Sequence, residues 1–175
     1  MRWVTFFSQT GTEIYNLSKE LNKQPDVIIT NNNDINAINL KLINELPSRF
    51  IFLDKKPKVE DYRKYLLKDD LVTLHGWLRI VPEEICKDYN IYNLHPAPLT
   101  TYPFLKGKDP QNRTIEMNLE YGGSTIHICS PELDSGEIIT ENKVYIANSS
   151  EDEKREKIYK SSFELWKTFL TERLT

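Results

Sequence analysis

The fold class of this chain is decided by the run Trp3-Val4-Thr5-Phe6-Phe7-Ser8, which leads directly into the turn Gln9-Thr10-Gly11-Thr12. Aromatic and β-branched residues in so short a run favour a buried strand. Beyond the turn, apolar Ile14, Leu17 and Leu21 recur at helical spacing. A strand that passes through a turn into an amphipathic helix begins a strand-helix-strand unit, so the sequence predicts an α/β fold.

The same alternation continues outward from this unit. Further strands are predicted at residues 26–29, 50–53, 71–74, 91–93, 124–128 and 138–146, and further helices at 35–46, 59–67, 82–86, 110–119 and 151–170. We therefore predict an open, mostly parallel, Rossmann-like sheet with helices on both faces, formed by one domain over residues 1–175.

Composition restricts the class of partner. The 23 basic and 26 acidic residues leave a net charge of −3, so no dedicated nucleic-acid surface is expected and small-molecule partners are favoured. The apolar runs are too short to span a bilayer, and the apolar N-terminal run is too short for a signal-peptide core. We expect a cytoplasmic protein without a membrane partner, and the sequence leaves monomer and homodimer open.

Cysteine and histidine spacing gives no metal site. Cys86 and Cys129 are far apart in the sequence and are expected to be reduced, buried thiols. The histidines His75, His95 and His127 lack the close pairing typical of a zinc helix. No metal is therefore expected.

Ligands of open α/β sheets bind beyond the carboxyl ends of the strands, where loops diverge and helix N-termini point into a crevice. Four loops are predicted at such ends. They are residues 8–12, 75–81, 93–108 and 129–136.

The segment Asn93-Leu94-His95-Pro96 carries the strongest chemical pattern of these loops. Side chains two positions apart on an extended strand point the same way, so Asn93 and His95 are predicted to face one pocket. An amide can donate to a developing oxyanion, and an imidazole can move a proton near neutral pH. From spacing alone, a capped turn with a hydrogen-bonded loop histidine explains these residues equally well.

Three motifs together resemble those of the formyl-folate transferase family, and most closely its glycinamide ribonucleotide formyltransferase branch. The motifs are Asn93-Leu94-His95-Pro96 with Leu99 and Tyr102-Pro103, Gly123-Ser124-Thr125-Ile126-His127 with Glu132-Leu133-Asp134-Ser135-Gly136, and Gly76-Trp77-Leu78-Arg79-Ile80-Val81. The resemblance covers roughly residues 2–160 and implies the formyltransferase fold with 10-formyltetrahydrofolate as co-substrate. It is weakest between about residues 30 and 70, where this chain is shorter than family members.

The resemblance also implies three catalytic roles. Asn93 would hold the formyl oxygen, His95 would act as an acid or electrostatic stabiliser, and Asp134 would orient His95 or a water and move a proton. Taken alone, Asp134 is more simply a turn residue, since Asp and Gly form turns. Its occurrence together with the Asn-x-His-Pro segment favours the catalytic role.

For the folate, the resemblance points to the segment after the fourth strand. Trp77, Leu78, Ile80 and Val81 would wall a pterin slot, and Arg79 would bind a carboxylate or the neighbouring backbone. Core packing would explain the apolar residues as well. Leu133, in the loop after the strand at 124–128, would border the pterin. His75 and His127 are interpreted as structural.

For the acceptor, the resemblance points to the turn that contains Gly11 and Thr12, which in the family binds a substrate phosphate. Two residues depart from the family pattern, because Gln9 replaces a glycine and the negatively charged Glu13 replaces an asparagine. Glu13 would oppose a phosphate unless it turns away, although it could simply be a favourable first-turn acid. Lys106 and Lys108 are candidate anion-binding residues, and a solvated loop is the alternative.

The function predicted on this basis is formyl transfer to a primary amine on a small acceptor that is expected to be phosphorylated. An amino-nucleotide, an amino-sugar nucleotide and glycinamide ribonucleotide all satisfy this description. The alternatives are a formyl-tetrahydrofolate hydrolase and a non-catalytic nucleotide- or folate-binding module of the same fold. A dinucleotide-binding domain is disfavoured because Gly11 stands outside any Gly-x-Gly-x-x-Gly pattern.

Overall fold

The computed structural model describes residues 1–132 and 134–174, and strands alternate with helices along most of their length. The strands are β1 (Trp3–Phe7), β2 (Val27–Thr30), β3 (Arg49–Phe52), β4 (Leu71–Leu74), β5 (Ile91–His95), β6 (Tyr121–Ile128) and β7 (Ile138–Tyr145). The α-helices are α1 (Thr12–Leu21), α2 (Leu40–Glu45), α3 (Val59–Tyr65), α4 (Glu83–Asp88), α5 (Pro110–Glu116) and α6 (Glu151–Leu174).

These strands form one sheet in the order β3-β2-β1-β4-β5-β6-β7. Strands β1 to β5 are parallel, whereas β6 pairs antiparallel with β5 and β7 pairs antiparallel with β6. The order reverses at β1, where β2 lies on one side and β4 on the other. This is the predicted open α/β architecture, with a crevice expected where the strand order reverses.

Both faces of the sheet are covered by helices because successive side chains of the inner strands point to opposite faces. Along β1, Val4 and Phe6 belong to a core that is shared with helices α3 and α4. Trp3 packs with α1 and α6, and Phe7 packs with α1 and α2. All five residues of β1 are buried, which explains why its sequence is apolar and aromatic except at Thr5.

One predicted helix is interrupted in the structure. The segment 35–46 forms a short 3₁₀ turn at Ile35–Ala37 and only then the helix α2. Asn39 lies between them, and its side chain accepts a hydrogen bond from the Lys41 N–H as an N-cap. Ile35 is 52% exposed, whereas Ile38 and Leu42 are buried as the periodicity predicted.

Helix α6 is the longest described helix, and it packs Trp166, Phe169 and Leu170 against the sheet. It begins at the predicted residue and continues to Leu174. Among residues 1–132 and 134–174, no helix combines enough length with enough apolar character to cross a membrane.

Candidate active site

A cavity of about 300 Å³ opens where β4 and β5 end. Its walls are the segment 77–81 after β4, Asn93 of β5, His127 of β6 and the segment after β6 that contains Asp134. The loop after β6 reaches this place by folding back, because β6 is antiparallel and its end lies beside the start of β5. Cys129 N–H donates to the carbonyl of Ile91, so the loop starts at the opposite end of β5 from His95.

Strand β5 continues through His95, which places Asn93 and His95 on the same side of the sheet. Asn93 is partly buried and lines the cavity. His95 is only 5% exposed and is not among the described residues that line the cavity. Its Nδ1 atom lies 3.3 Å from Oδ1 of Asp134, so His95 reaches the cavity through that carboxylate.

The hydrogen bonds of His95 restrict where its protons can be. Its Nε2 lies 2.7 Å from the carbonyl oxygen of Leu105, which can only accept, so Nε2 carries a hydrogen. The approach of Nδ1 to Asp134 is attractive only if a hydrogen also lies between these two atoms.

Asp134 is 8% exposed and adopts a left-handed backbone conformation with φ of 55°. Its Oδ2 accepts a hydrogen bond of 2.9 Å from the N–H of Gly107, and its Oδ1 lies 3.6 Å from Nε2 of His127. Burial by itself would raise the pKa of this carboxyl, but His127, His95 and the Gly107 N–H outweigh burial and hold that pKa well below its usual range. Asp134 is therefore a buried carboxylate that stays ionised.

This lowered pKa predicts a pH-dependent contribution to stability. A carboxyl whose folded pKa is depressed stabilises the fold above its unfolded pKa, and that contribution is lost as the pH falls toward the folded value. We expect Asp134→Asn, which tolerates the left-handed backbone, to reduce the free energy of unfolding by about 1–3 kcal/mol at pH 7. The difference from wild type should shrink once the pH falls below about 4.

Urea denaturation at a series of pH values measures this difference. The exposed Asp69 supplies the control, since Asp69→Asn changes the same charge on the surface and should have little effect. A difference for Asp134→Asn that stayed constant or grew in acid would contradict the assigned interactions.

The sequence favours a structural role for His127, and the structure places it in the cavity wall. Its Nδ1 lies 3.1 Å from the carbonyl of Ile128. Its Nε2 is buried and has no hydrogen-bond partner among the described residues. The pairing of His127 with Asn93 across β5 and β6 brings it there, and no local sequence signal reveals that pairing.

The proline-containing loop after β5 is held by side chains from distant segments. Thr125 Oγ1 donates to the carbonyl of Ala97 at 2.7 Å and accepts from the N–H of Leu99 at 3.1 Å. The guanidinium of Arg113 donates to carbonyls in the segment 104–108. Because this loop supplies the Gly107 N–H and the Leu105 carbonyl, these bonds also position Asp134 and His95.

The two candidate lysines of this loop end in different places. Lys108 is exposed and lines the cavity with Asn93 and Asp134. Lys106 is exposed, and its carbonyl accepts a bond from Arg113, but its side chain does not line the cavity among the described residues. The structure therefore brings one of them to the site.

All five candidate residues of the segment after β4 line the cavity, namely Trp77, Leu78, Arg79, Ile80 and Val81. Trp77 is anchored by an edge contact to Phe6 and by a hydrogen bond to the hydroxyl of Tyr62. Leu78 and Ile80 are 66% and 76% exposed, and Arg79 donates to the carbonyl of Lys55 at 3.0 Å. The remaining candidate, Leu133, lies outside the described residues.

The candidate acceptor turn lies at the start of α1. Gly11 has φ of 74°, and a Cβ atom there would overlap the side chain of Leu42, so glycine is required on both grounds. Thr12 Oγ1 accepts from Thr10 Oγ1 at 3.0 Å and from the side chain of Asn39 at 3.2 Å. The threonine hydroxyl is thus engaged within the turn.

Within residues 1–132 and 134–174, no group of three or more His, Cys, Asp or Glu side chains is arranged to hold a metal ion. What the cavity does offer is an amide, an ionised carboxylate, the buried imidazole of His127 and an apolar wall, and the imidazole of His95 contacts the carboxylate from behind the cavity. An amide beside an ionised carboxylate can assist the attack of an amine or water on a carbonyl carbon.

Comparison with protein families matches residues 1–174 to the formyl transferase family model. The phosphoribosylglycinamide formyltransferase of Escherichia coli K12 is 33% identical over 87 residues, which are 48% of this chain and 40% of that protein. A formyltetrahydrofolate deformylase of Synechocystis is 29% identical over 135 residues, which are 75% of this chain and 46% of that protein. The aligned regions thus span less than half the length of these curated relatives.

Solved structures resemble the whole chain. The phosphoribosylglycinamide formyltransferase of Campylobacter jejuni superimposes with a TM-score of 0.81 at 22% identity, covering 100% of this chain and 98% of that one. The enzyme of that name from Streptococcus pneumoniae gives a TM-score of 0.78 at 21% identity, with 99% of each chain covered. At such identities the likeness establishes a shared fold, which is the one that the sequence predicted.

Proposed function

The chain belongs to the formyl transferase family, and from that premise we propose that it transfers a formyl group from 10-formyltetrahydrofolate to a primary amine. The observation that carries the proposal is the cavity that Asn93 and the ionised Asp134 both line. Both are the residues that the family resemblance assigns to the chemistry.

The reaction needs a hydrogen-bond donor for the formyl oxygen and a proton acceptor for the attacking nitrogen, both at one carbon. Attack of an amine on the formyl carbon forms a C–N bond, an anionic oxygen and a cationic nitrogen. The amide of Asn93 donates to the developing oxyanion, and Asp134 accepts the proton that the amine loses. The formyl carbon then separates from the folate nitrogen, which takes up a proton, so that a formamide and tetrahydrofolate leave.

His95 contributes from behind Asp134. Its Nε2 is bound to the Leu105 carbonyl, so the imidazole cannot rotate away from the carboxylate without breaking a 2.7 Å bond. The His95 imidazole, with Nδ1 3.3 Å from Asp134, lowers the pKa of that carboxyl and so keeps it ionised before the proton transfer.

The segment after β4 fits the folate. Bound folate would supply the formyl group, and its pterin would lie against the apolar side chains of Leu78 and Ile80, which are largely exposed at the cavity. A second cavity of about 550 Å³ shares Leu78 and Arg79 with the first and adds Lys55. The cationic side chains of Arg79 and Lys55 would bind the carboxylates of the folate glutamate.

A formyl-folate hydrolase is the second candidate. The deformylase relative aligns with 75% of the chain, against 48% for the formyltransferase of Escherichia coli. The same site would serve if water replaced the amine, with Asp134 accepting a proton from water and formate as product.

Products distinguish these candidates. The protein is incubated with 10-formyltetrahydrofolate and a panel of amino-nucleotides and amino-sugar nucleotides, and formylated amines are identified by mass. A formylated amine supports transfer, whereas free formate without one supports hydrolysis. If neither a formylated amine nor formate forms, the proposed function is contradicted and a non-catalytic binding module is favoured.

For the active protein, His95→Gln is expected to lower kcat by at least about a hundredfold while folate binding is largely kept. Glutamine keeps a donor to the Leu105 carbonyl but cannot carry a positive charge. The Kd for folate, measured by calorimetry, is the control for folding of the site. Undiminished turnover in this variant would contradict the role given to His95.

A further inference from the structure

A smaller cavity of about 180 Å³ lies on the other side of β5 from Asn93. Leu94 and Pro96 line it from β5 and the following loop, Glu13 lines it from α1, and Tyr159 and Trp166 line it from α6. Leu74 borders both this cavity and the proposed folate site. The two cavities therefore adjoin at Leu74.

Glu13 is held at this cavity by a chain of buried polar groups. Its Oε1 lies 2.7 Å from Nδ1 of His75, and Nε2 of His75 lies 2.8 Å from Oγ1 of Thr73. The same Thr73 oxygen accepts a bond of 2.9 Å from Nε1 of Trp3. The ring of His75 also packs against Trp166, with centroids 4.8 Å apart.

Each hydrogen bond in this series is donated in the direction of Glu13. Trp3 Nε1 can only donate, so the Thr73 oxygen accepts from it and is free to donate its own hydrogen to Nε2 of His75. His75 then carries its hydrogen on Nδ1 and donates it to the carboxylate of Glu13. Every group in this series of hydrogen bonds then has a partner, with Glu13 as the final acceptor, which differs from a first-turn acid that only meets solvent.

The carboxylate remains available to a ligand. The side chain of Glu13 is 27% exposed, whereas that of His75 is 1% exposed. Among the described residues that line this cavity, Glu13 is the only Asp, Glu, Lys or Arg. A phosphate here would meet a negative charge without a compensating cation, whereas a hydroxyl or an amine can donate to it.

We infer that this cavity holds the body of the formyl acceptor and that Glu13 selects an acceptor presenting hydroxyl or amino groups, rather than a phosphate, to the turn at residues 11–13. The aromatic side chains of Tyr159 and Trp166 suit a ring that carries such groups. Any phosphate of the acceptor lies outside this cavity. The inference rests on the proposed formyl transfer and narrows its acceptor to an amine on a hydroxylated ring.

Two probes with the same amine test the selection, namely glycinamide ribonucleotide and the same molecule without its phosphate. Calorimetry measures the Kd of each for wild type and for Glu13→Asn. Wild type should bind the unphosphorylated compound at least about tenfold more tightly, and Glu13→Asn should shift the ratio of Kd values by at least about tenfold toward the phosphorylated one.

Controls separate charge from folding. Glu60 is an exposed first-turn acid of α3, so Glu60→Asn changes the same charge at an equivalent helix position and should leave the ratio unchanged. Glu13→Gln keeps the side-chain length and an acceptor for His75, and should shift the ratio as Glu13→Asn does.

The inference is overturned if wild type prefers the phosphorylated compound, if neither Glu13 variant shifts the ratio, or if folded wild type binds neither compound at millimolar concentration. Binding requires no turnover, so the two claims can fail separately. The expected ratio without formylated product or formate would contradict the proposed formyl transfer and leave the selection by Glu13 standing. Formylation together with tighter binding of the phosphorylated compound would contradict the selection by Glu13 and leave the proposed formyl transfer standing.

Discussion

Asp134→Asn is expected to lower kcat for formyl transfer by about three orders of magnitude, in the middle of the range for a lost general base. Asparagine cannot accept the proton of the attacking amine, and its neutral amide removes the negative charge that faces His95 and His127. The left-handed backbone at residue 134 tolerates asparagine, so the loop should keep its shape. Single-turnover measurement with saturating folate and amine isolates the chemical step from product release.

Binding provides the control for this variant. The folate Kd should change little, because the apolar wall at residues 77–81 is untouched by the substitution. Added formate or acetate at high concentration could supply a proton acceptor from solution and restore part of the rate. Turnover within about tenfold of wild type would mean that another group accepts the proton, and His127 would be the next candidate, since it lines the same cavity.

Gly136→Ala is expected to destabilise the protein by about 3 kcal/mol, at the upper end for overpacking, and to abolish formyl transfer. A Cβ atom on Gly136 would overlap the carbonyl oxygen of Ile128, which is backbone and cannot swing aside as a flexible side chain can. Ile128 N–H also donates to the carbonyl of Glu137 at 2.9 Å, so the two segments cannot separate without losing that bond. The loop that carries Asp134 would therefore be displaced.

Thermal and urea unfolding measure the loss of stability, and the turnover assay measures the displacement of Asp134. The neighbouring Glu137 has an exposed side chain, so Glu137→Ala should change stability by less than about 0.5 kcal/mol. If Gly136→Ala kept wild-type stability and activity, the close approach of this loop to β6 would be wrong.

Asp134→Asn tests the charge that the loop after β6 carries, and Gly136→Ala tests the backbone path of the same loop. Asp134 lies in a loop that must leave β6, turn back over the sheet and meet a residue of β5. Gly136 permits the close return, and Gly107 N–H receives the carboxylate once it arrives. Charge and shape at this point are thus set by three segments that are distant in sequence.

Much of the fold follows from local pattern. The apolar runs predict the parallel strands to within one or two residues, and β4 has the predicted bounds. The period of two along β5 places Asn93 and His95 on one side, because side-chain direction in a strand depends only on position. The helix predicted at 35–46 is too long because α2 starts only after Asn39, whose side chain caps it by accepting from the Lys41 N–H, and apolar spacing does not reveal such a cap.

Local sequence pattern does not predict which distant segments pair with one another. The antiparallel register of β6 puts His127 opposite Asn93, and that register depends on long-range contacts rather than on the strand's own residues. The link between Glu13 and His75 joins residues 62 positions apart, and neither residue alone suggests the other.

The sequence by itself therefore determined the α/β class, the strands and the chemical types available at their ends, because periodicity and side-chain chemistry are local properties. Only the tertiary structure decided that Asp134 is an ionised carboxylate between two histidines and that Glu13 is fixed by His75 at a separate cavity. Burial, charge pairing and hydrogen-bond direction depend on which segments meet in space, and the fold brings those segments together.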